Sequence, residues 1–496
     1  MARSRDSGSS STPRLLLRLK SVSVTRITLA VVGICVVVQI ALGADLLVLA
    51  LVIISCTAGL IGFRIVGAYH AAAWVSFVFV LGNGIVALTA KTILLQPLDS
   101  NLYAPLESFL ALAAGSIVLL ITLILSLIIP VGKPIFRSVD DRRFLNSLST
   151  WTFVLGALFW YLNRVFQDPN GSGFGGVGVF WNLVLMAVVA RTAMLLERSD
   201  GRRSIDASLV LILTGCIVMG LIDNQKTAVA LPVVAYFATS LFFRGGITRW
   251  QAALGALGLV LMVTVVGPLI HVYRAVGIKG LPWTQRVSLI ERGVKDALVQ
   301  GNLERYERLA SSEFLSVYYN YFGEGRGQML LGRYASIQQI DPVIATVNRN
   351  GTVGGAVIWP AFTRLVPSVI YPDKPRYPEA YVAVVHLGLS DPKGNKYPNV
   401  PLLAQSYAGY GTVGLLVIPF FTFLALFLAL KKLGSRLYRN VFGIFFFCVF
   451  TVVYANQAEL GQYAEAVSRN FPLLAGTLWL IGRMHRVRGS PRTKVG

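Results

Sequence analysis

Residues 26–62 read RITLAVVGICVVVQIALGADLLVLALVIISCTAGLIG, with no charge between Arg26 and Asp45 and none again before Arg64. Each of the two uncharged runs reaches the roughly 17 to 20 residues that cross the hydrocarbon core of a bilayer. Backbone placed in hydrocarbon must satisfy its own hydrogen bonds, and a continuous apolar run does so as a helix. The joint at Gly43 and Ala44 is only long enough to turn the chain back, so the two helices form a tight hairpin.

The same pattern recurs along the chain. Including that hairpin, spans are expected at roughly 26–42, 44–62, 66–89, 107–130, 146–163, 177–196, 207–223, 227–243, 249–272, 412–430, 440–456 and 470–484. Apolar residues make up 55% of the 496 positions and charged residues 14%, which is not the balance of a soluble globular chain. The expected fold is therefore all-α: a polytopic membrane protein of about 12 transmembrane helices with one large helical extracytoplasmic loop. Residues 1–25 form a flexible basic cytoplasmic tail, 26–272 carry helices 1–9, 273–411 the loop, 412–484 helices 10–12, and 485–496 a second basic cytoplasmic tail.

A formal charge of +22 raises the question of nucleic acid. Much of the basic excess, however, lies in short segments beside apolar spans: Arg64; Lys133, Arg137, Arg142 and Arg143; Arg191, Arg198, Arg202 and Arg203; Arg244 and Arg249; Lys431, Lys432, Arg436 and Arg439; and the stretch from Arg483. Basic loops of this kind mark the cytoplasmic side. They put both termini in the cytoplasm and residues 273–411 outside, and they exclude nucleic acid as the partner. Cys35, Cys56, Cys216 and Cys448 all fall in apolar spans, so no disulfide framework is expected.

Residues 273–411 mix aromatics, aliphatics, Gly and Pro with 15 basic and 10 acidic residues, the composition of a folded and mildly basic segment suited to an anionic partner. Helical spacing is expected after Pro282 and from about Leu303 to Tyr321. A third helix begins near Leu331 and restarts at Asp341-Pro342, with Asp as its cap, and closes at Gly351 to Gly355. Helix resumes through Val357 to Ile370. The segment is expected to form an all-helical cap over the spans.

Several motifs carry little. Gly173-Phe-Gly-Gly-Val-Gly178 has the spacing of a dinucleotide loop but no preceding strand. Asp140-Asp141 is neutralised by Arg142 and Arg143. The four histidines, His70, His271, His386 and His485, share no metal-ligand spacing, so no metal and no cofactor is expected. Ionisable residues deep in the spans are few, which argues against an ion-coupled carrier or exporter. What remains is cationic: Lys226 in the joint Asp223-Asn-Gln-Lys226, Arg274 after the ninth span, and Arg326, Arg333, Arg364, Lys374 and Arg376 in the loop. Arg364, between Pro360 and Pro367 in an apolar stretch, is expected to be an unshielded cation. Its planar guanidinium suits phosphate oxygens.

Arg364 followed by Pro367 and then Tyr371-Pro-Asp-Lys-Pro375 resembles the signature of the bacterial O-antigen and oligosaccharide repeat-unit polymerases, the Wzy-type membrane glycosyltransferases. Arg333-Tyr334, Lys226 and Leu403-Ala-Gln-Ser-Tyr-Ala-Gly-Tyr-Gly411 are similar to flanking features of that family, with Thr363 and Gln405 as departures. The resemblance implies a metal-independent polymerase in the bacterial inner membrane. Such an enzyme joins polyprenyl-diphosphate-linked oligosaccharides into a surface or extracellular polysaccharide at the outer face, beside membrane lipid and alongside a chain-length regulator and flippase. It implies Arg364, Arg333, Lys226, Arg274 and Lys374 as diphosphate ligands; His386, Glu324 or Asp373 as the base; and Tyr318, Tyr319, Tyr321 and Trp359 as sugar platforms. An O-antigen ligase-like transfer, a transport component and a non-catalytic scaffold are the alternatives.

Overall fold

The computed structural model describes residues 17–18, 21–139, 141–165, 177–223, 226–244, 246–261, 285, 288–289, 291–292, 295–296, 321–323, 335–366, 370–371, 386–388, 400–454 and 458–489. Regular structure among them is helical except for one two-residue antiparallel pair, β1 (Leu17–Arg18) with β2 (Gly246–Ile247). The first helices are α1 (Ser21–Ala41), α2 (Leu46–Val66), α3 (Ala71–Val80), a π-helical turn at Leu81–Ile85, α4 (Val86–Ile93) and α5 (Pro105–Ile128). They are followed by α6 (Arg142–Val165), α7 (Leu183–Arg198), α8 (Ala207–Ile222), α9 (Lys226–Arg244) and α10 (Arg249–Leu261).

Among the described residues, six helical stretches are long and apolar enough to cross a membrane: Ser23–Ala41, Leu46–Val66, Ala71–Ile93, Pro105–Ile128, Gly178–Arg198 and Leu402–Leu433. Ala207–Ile222, Ala228–Arg244 and Val441–Phe450 are apolar but shorter. Large apolar side chains such as Ile34, Leu47, Leu110, Leu211 and Phe421 point outward. An exposed apolar surface of this kind suits lipid. α7 is buried on nearly every side, packed chiefly against α6 and α9.

Small residues let the helices approach, as packing in a membrane favours. Gly156 of α6 lies against the backbone of Leu183 and Val184, and Gly220 of α8 against that of Ala228 and Val229. Ser55 of α2 and Ser116 of α5 share a hydrogen bond of 2.6 Å between buried faces. The four cysteines are free and buried, as expected from their places in the apolar runs.

Two helices of the expected loop are described, α11 (Ile337–Asn350) and α12 (Trp359–Leu365). α11 differs from a cap laid over the spans. From Ile337 to Ala345 every residue of α11 is buried, and the Ser336 amide donates to Gly82 O at 3.2 Å, inside the Ala71–Ile93 stretch. α11 is wedged into the bundle. It also starts earlier than Asp341-Pro342, so Asp341 does not cap its own helix. It caps α5 instead: its carboxylate accepts from Tyr103 N and Ala104 N, each at 2.8 Å, and from Ser108 Oγ at 3.0 Å. Ala104, the residue before α5, has no side-chain acceptor, and Asp341 supplies one from 237 residues away. Burial raises the Asp341 carboxyl above its ordinary range, against the downward pull of those three donors. Gly351 closes α11 with φ of 86°, where the expectation put its end.

The chain returns through α13 (Leu402–Leu433), α14 (Val441–Tyr454), α15 (Leu460–Glu465), a second π-helical turn at Ala466–Asn470, and α16 (Phe471–Gly489). α13 is broken at Tyr410 and Gly411; the glycine takes φ of 60°, a left-handed value that a side chain disfavours. The break coincides with the expected boundary between loop and span. At the opposite end of the bundle, Lys431 Nζ donates to Ser126 O, Leu127 O and Ile129 O at 2.8 to 3.0 Å, answering carbonyls that the end of α5 leaves open.

Candidate anion site at the end of the bundle

Arg364 lies in the last turn of α12, and the expectation of an unshielded cation is corrected by its surroundings. Its Nε donates to Glu465 Oε2 at 2.8 Å and its Nη1 lies 3.5 Å from Glu459 Oε2. Glu465 also pairs with Arg469 one helical turn on. The partners are 95 and 101 residues away in sequence, so inspection of the flanking residues could not reveal them.

The local chain explains why these groups meet. Glu459 opens α15 with a capping box: its carboxylate accepts from the backbone N–H of Gln462, and the Gln462 side chain accepts from Glu459 N at 3.3 Å. Gln405 of α13, the departure from the family pattern, is buried and accepts from Leu460 N at 2.7 Å. Leu402 N donates to Ala458 O at 3.0 Å, so the start of α13 and the start of α15 are tied together. Glu465 and Arg469 sit four residues apart across the junction with the second π-helical turn. That turn is a local widening of the helix often found where side chains must be re-aimed.

The result is a cluster of two guanidiniums and two carboxylates supported by backbone hydrogen bonds. Glu459 is 8% exposed and Glu465 15%, whereas Arg364 and Arg469 keep 26% and 27%. The carboxylates sit beneath and the cations face out, an order suited to receiving an anion. Glu459, Glu465 and Arg469 were missed by sequence reasoning. The available signal was the Glu-x-x-x-Arg spacing at 465–469, ahead of the last apolar run.

The remaining expected site residues are distributed as follows. Trp359 begins α12 and is 70% exposed, free to meet a flat ligand face. His386 is exposed in the short turn 386–388. Tyr321 does not fit the role of a sugar platform: it is 2% exposed and its hydroxyl donates to Leu98 O at 2.7 Å. Burial, with Asp99 and Asp341 nearby, holds its phenol well above its usual pKa and keeps it protonated. Its ring lies 4.3 Å below Lys91 Nζ, so Tyr321 pins the loop to the bundle. Lys226 is the first residue of α9; its side chain lies outside the described residues. Beside it, Asp223 pairs with Arg164 and accepts from Trp160 Nε1 at 2.9 Å. Arg274, Tyr318, Tyr319, Glu324, Arg326, Arg333, Asp373, Lys374 and Arg376, with residues 173–176 of the glycine motif, lie outside the described residues. Among the described residues no group of three or more His, Cys, Asp or Glu side chains could hold a metal.

No family model, no curated protein and no solved structure matches the chain.

Proposed function

We propose that this chain is a membrane glycosyltransferase of the polymerase type. It transfers a glycan from a polyprenyl diphosphate onto the sugar of a second lipid-linked repeat unit at the outer face of a bacterial inner membrane, without a metal. The observation that carries the reading is the Arg364–Glu465–Arg469 cluster, of which Arg364 belongs to the residues that resemble the Wzy-type signature, at the place where an apolar bundle meets its polar insert. On this reading the twelve expected spans cross the membrane, residues 273–411 face outside and both termini are cytoplasmic.

Leaving-group departure builds negative charge on the diphosphate, and cations already fixed in place stabilise it without reorganising during the reaction. Glu465 supplies that fixation by engaging Arg364 through Nε, which orients its guanidinium plane. Arg333, Lys226, Arg274 and Lys374 are the further cations this reading assigns to the donor. Trp359 stacks on a sugar and His386, exposed, takes the acceptor proton; Glu324 and Asp373 are the other base candidates.

The test compares Arg364→Ala, Arg364→Lys and Glu465→Gln for polymer formed from lipid-linked repeat units and for protein abundance in the membrane. Loss of a main electrostatic stabiliser costs about 3 to 4 kcal/mol, or roughly 100- to 1000-fold in rate. Lys restores part of that, since it keeps the charge and loses the fork. Full polymer from folded Arg364→Ala protein sinks the reading. Loss of all three proteins from the membrane assigns the cluster to structure alone.

A further inference from the structure

α5 and α13 pack along each other and finish together at the end of the bundle far from Arg364. There Lys431 Nζ answers the last carbonyls of α5, and Lys432 Nζ donates to Val131 O at 3.2 Å and Lys133 O at 3.3 Å. Ile135 N donates back to Lys432 O at 2.8 Å, and the buried Phe136 stacks on Phe442 with ring centroids 4.4 Å apart. The approach is closest at Gly434, where a Cβ would fall 2.6 Å from Phe136 O. Phe136 thus anchors residues 131–137 along residues 432–436, which gathers Lys133, Arg137, Lys432 and Arg436, all exposed, at one corner. No carboxylate among the described residues pairs with any of the four. Charge alone does not single the corner out. Arg143, Arg198 and Arg203 are exposed at the same end, where Arg142 and Arg439 both bond Glu197. What distinguishes the corner is the apolar surface that adjoins it. α5 presents Ile117, Ile121, Ile124 and Ile128 outward at helical spacing, and the row ends at Ile128, 72% exposed, between the carbonyls of Leu127 and Ile129 that receive Lys431. Ile135 is exposed between Lys133 and Arg137, and beside Arg436 the exposed rings of Tyr438 and Tyr69 meet edge to face at 5.5 Å. Tyrosines at the end of an apolar bundle are at home at the level of lipid headgroups.

We propose that this corner holds an anionic phospholipid, with its phosphate among Lys133, Arg137, Lys432 and Arg436 and an acyl chain along Ile128, Ile124 and Ile121. Basic side chains at a membrane surface attract anionic headgroups, and four of them with no carboxylate to answer favour such a lipid over a zwitterionic one. A free phosphate would use the cations and gain nothing from the isoleucine row, whereas a lipid uses both. The site is built on different elements from the Arg364 cluster, and the inference stands whether or not the transferase reading does.

The experiment uses the full chain, stripped of native lipid in a neutral detergent. It is titrated with dioleoylphosphatidylglycerol, dioleoylphosphatidylcholine or soluble glycerol phosphate, and bound ligand is read by native mass spectrometry alongside the thermal midpoint. Wild type is compared with Lys133→Gln/Arg137→Gln/Arg436→Gln and with Arg143→Gln/Arg198→Gln/Arg203→Gln, which removes the same charge away from the isoleucine row. The altered side chains are exposed, so both triple variants should melt with wild type before lipid is added. At about fivefold per cation near an anionic lipid, the first triple should bind phosphatidylglycerol roughly 100-fold more weakly, and the second within about threefold of wild type. Phosphatidylcholine and glycerol phosphate should shift neither reading. Should the first triple prove unstable, Lys133→Gln/Arg137→Gln takes its place, with binding roughly 25-fold weaker. Equal losses in the two triples show diffuse attraction to a charged end and overturn the proposal. So do binding of phosphatidylcholine as tight as phosphatidylglycerol, saturation by glycerol phosphate, and wild-type protein that retains no phosphatidylglycerol.

Discussion

Replacing Asp341 should release the insert from the bundle, and the geometry sets the size of the effect. Its two oxygens accept from Tyr103 N and Ala104 N at 2.8 Å each, with Ser108 Oγ as a third donor. Asp341→Ala orphans the buried amide of Ala104 and the part-buried amide of Tyr103 at the helix start. With about 1 to 3 kcal/mol for each buried unpaired donor and about 1 for a lost helix cap, the two contributions overlapping, we expect a loss of about 3 to 5 kcal/mol. Asp341→Asn keeps one accepting oxygen and turns an NH2 toward the second amide, so it should lose about half as much. Ser108→Ala removes only the third donor and should cost about 1 kcal/mol. The assay is thermal unfolding of the full chain in detergent, paired with hydrogen exchange at Tyr103, Ala104 and the 337–350 segment. The three variants should rank Ala, Asn, then Ser108→Ala, with exchange rising first at the α5 start and along α11. An Asp341→Ala protein that melts with wild type and keeps those amides protected refutes the capping argument, and with it the account of how α11 is held.

His70 and Lys91 give two further tests. His70 accepts from Ala72 N through Nδ1 and bonds Ser435 Oγ through Nε2 at 2.7 Å; burial, then Arg436 and Lys431, lower its pKa from 6.5 to about 4. A depressed histidine stabilises the fold above its ordinary pKa and loses that contribution as pH falls from 6.5 toward 4, here about 2 kcal/mol by pH 5, and a His70→Gln protein with the same pH slope in thermal midpoint as wild type would falsify the assignment. Lys91 is fully buried and donates to Gln96 Oε1, Ser100 O and Ser100 Oγ at 2.8 to 3.1 Å. Lys91→Met should cost about 1 to 2 kcal/mol because the apolar stem is retained and no charge stays buried, and Lys91→Ala about 3 to 5 because a cavity opens as well; equal midpoints for the two would show that the stem packs against nothing.

What the sequence made legible was whatever depends on neighbours in the chain. The hairpin at Gly43 is such a feature, because an apolar run and a turn are local. So are the Gly351 end of α11 and the break of α13 at Gly411, since a left-handed backbone favours glycine whatever surrounds it. The Asp341-Pro342 pair shows where locality misleads. An aspartate before a proline has the form of a helix start, but its carboxylate was recruited by α5, whose own residue before Pro105 is an alanine. Tyr321 misleads in the same way, since a tyrosine in a polar insert has the composition of a binding surface until Leu98 O and Lys91 are seen around it. Arg364 is not the isolated cation that its apolar flanks suggest. An apolar flank in sequence does not say which carboxylates the fold will bring to it.

The pairing of Arg364 changes what the proposed site must contain. A guanidinium left alone at the edge of an apolar bundle would be mobile, and a mobile cation spends part of its interaction with substrate on being ordered. Glu459 and Glu465 remove that cost by fixing Arg364 beforehand, but among the described residues the two carboxylates of the cluster balance its two guanidiniums. A diphosphate brings at least two negative charges. On the proposed function, Arg364 and Arg469 therefore supply direction and hydrogen bonds, and most of the neutralising charge has to come from elsewhere on the insert and its rim. Arg333, Lys374, Arg274 and Lys226 are the residues the resemblance assigns to that task. The two groups should separate in kinetics. Altering Arg364 should lower turnover with a modest change in KM, because the oriented bonds matter most when charge concentrates on the leaving oxygen. Altering the insert cations should raise KM and flatten its salt dependence, because they act as unshaped charge in both ground and transition states. If Arg364→Lys raises KM alone and Arg333→Lys lowers turnover alone, the division is reversed, and the Glu459–Glu465 pair holds the fold together without aiming the chemistry.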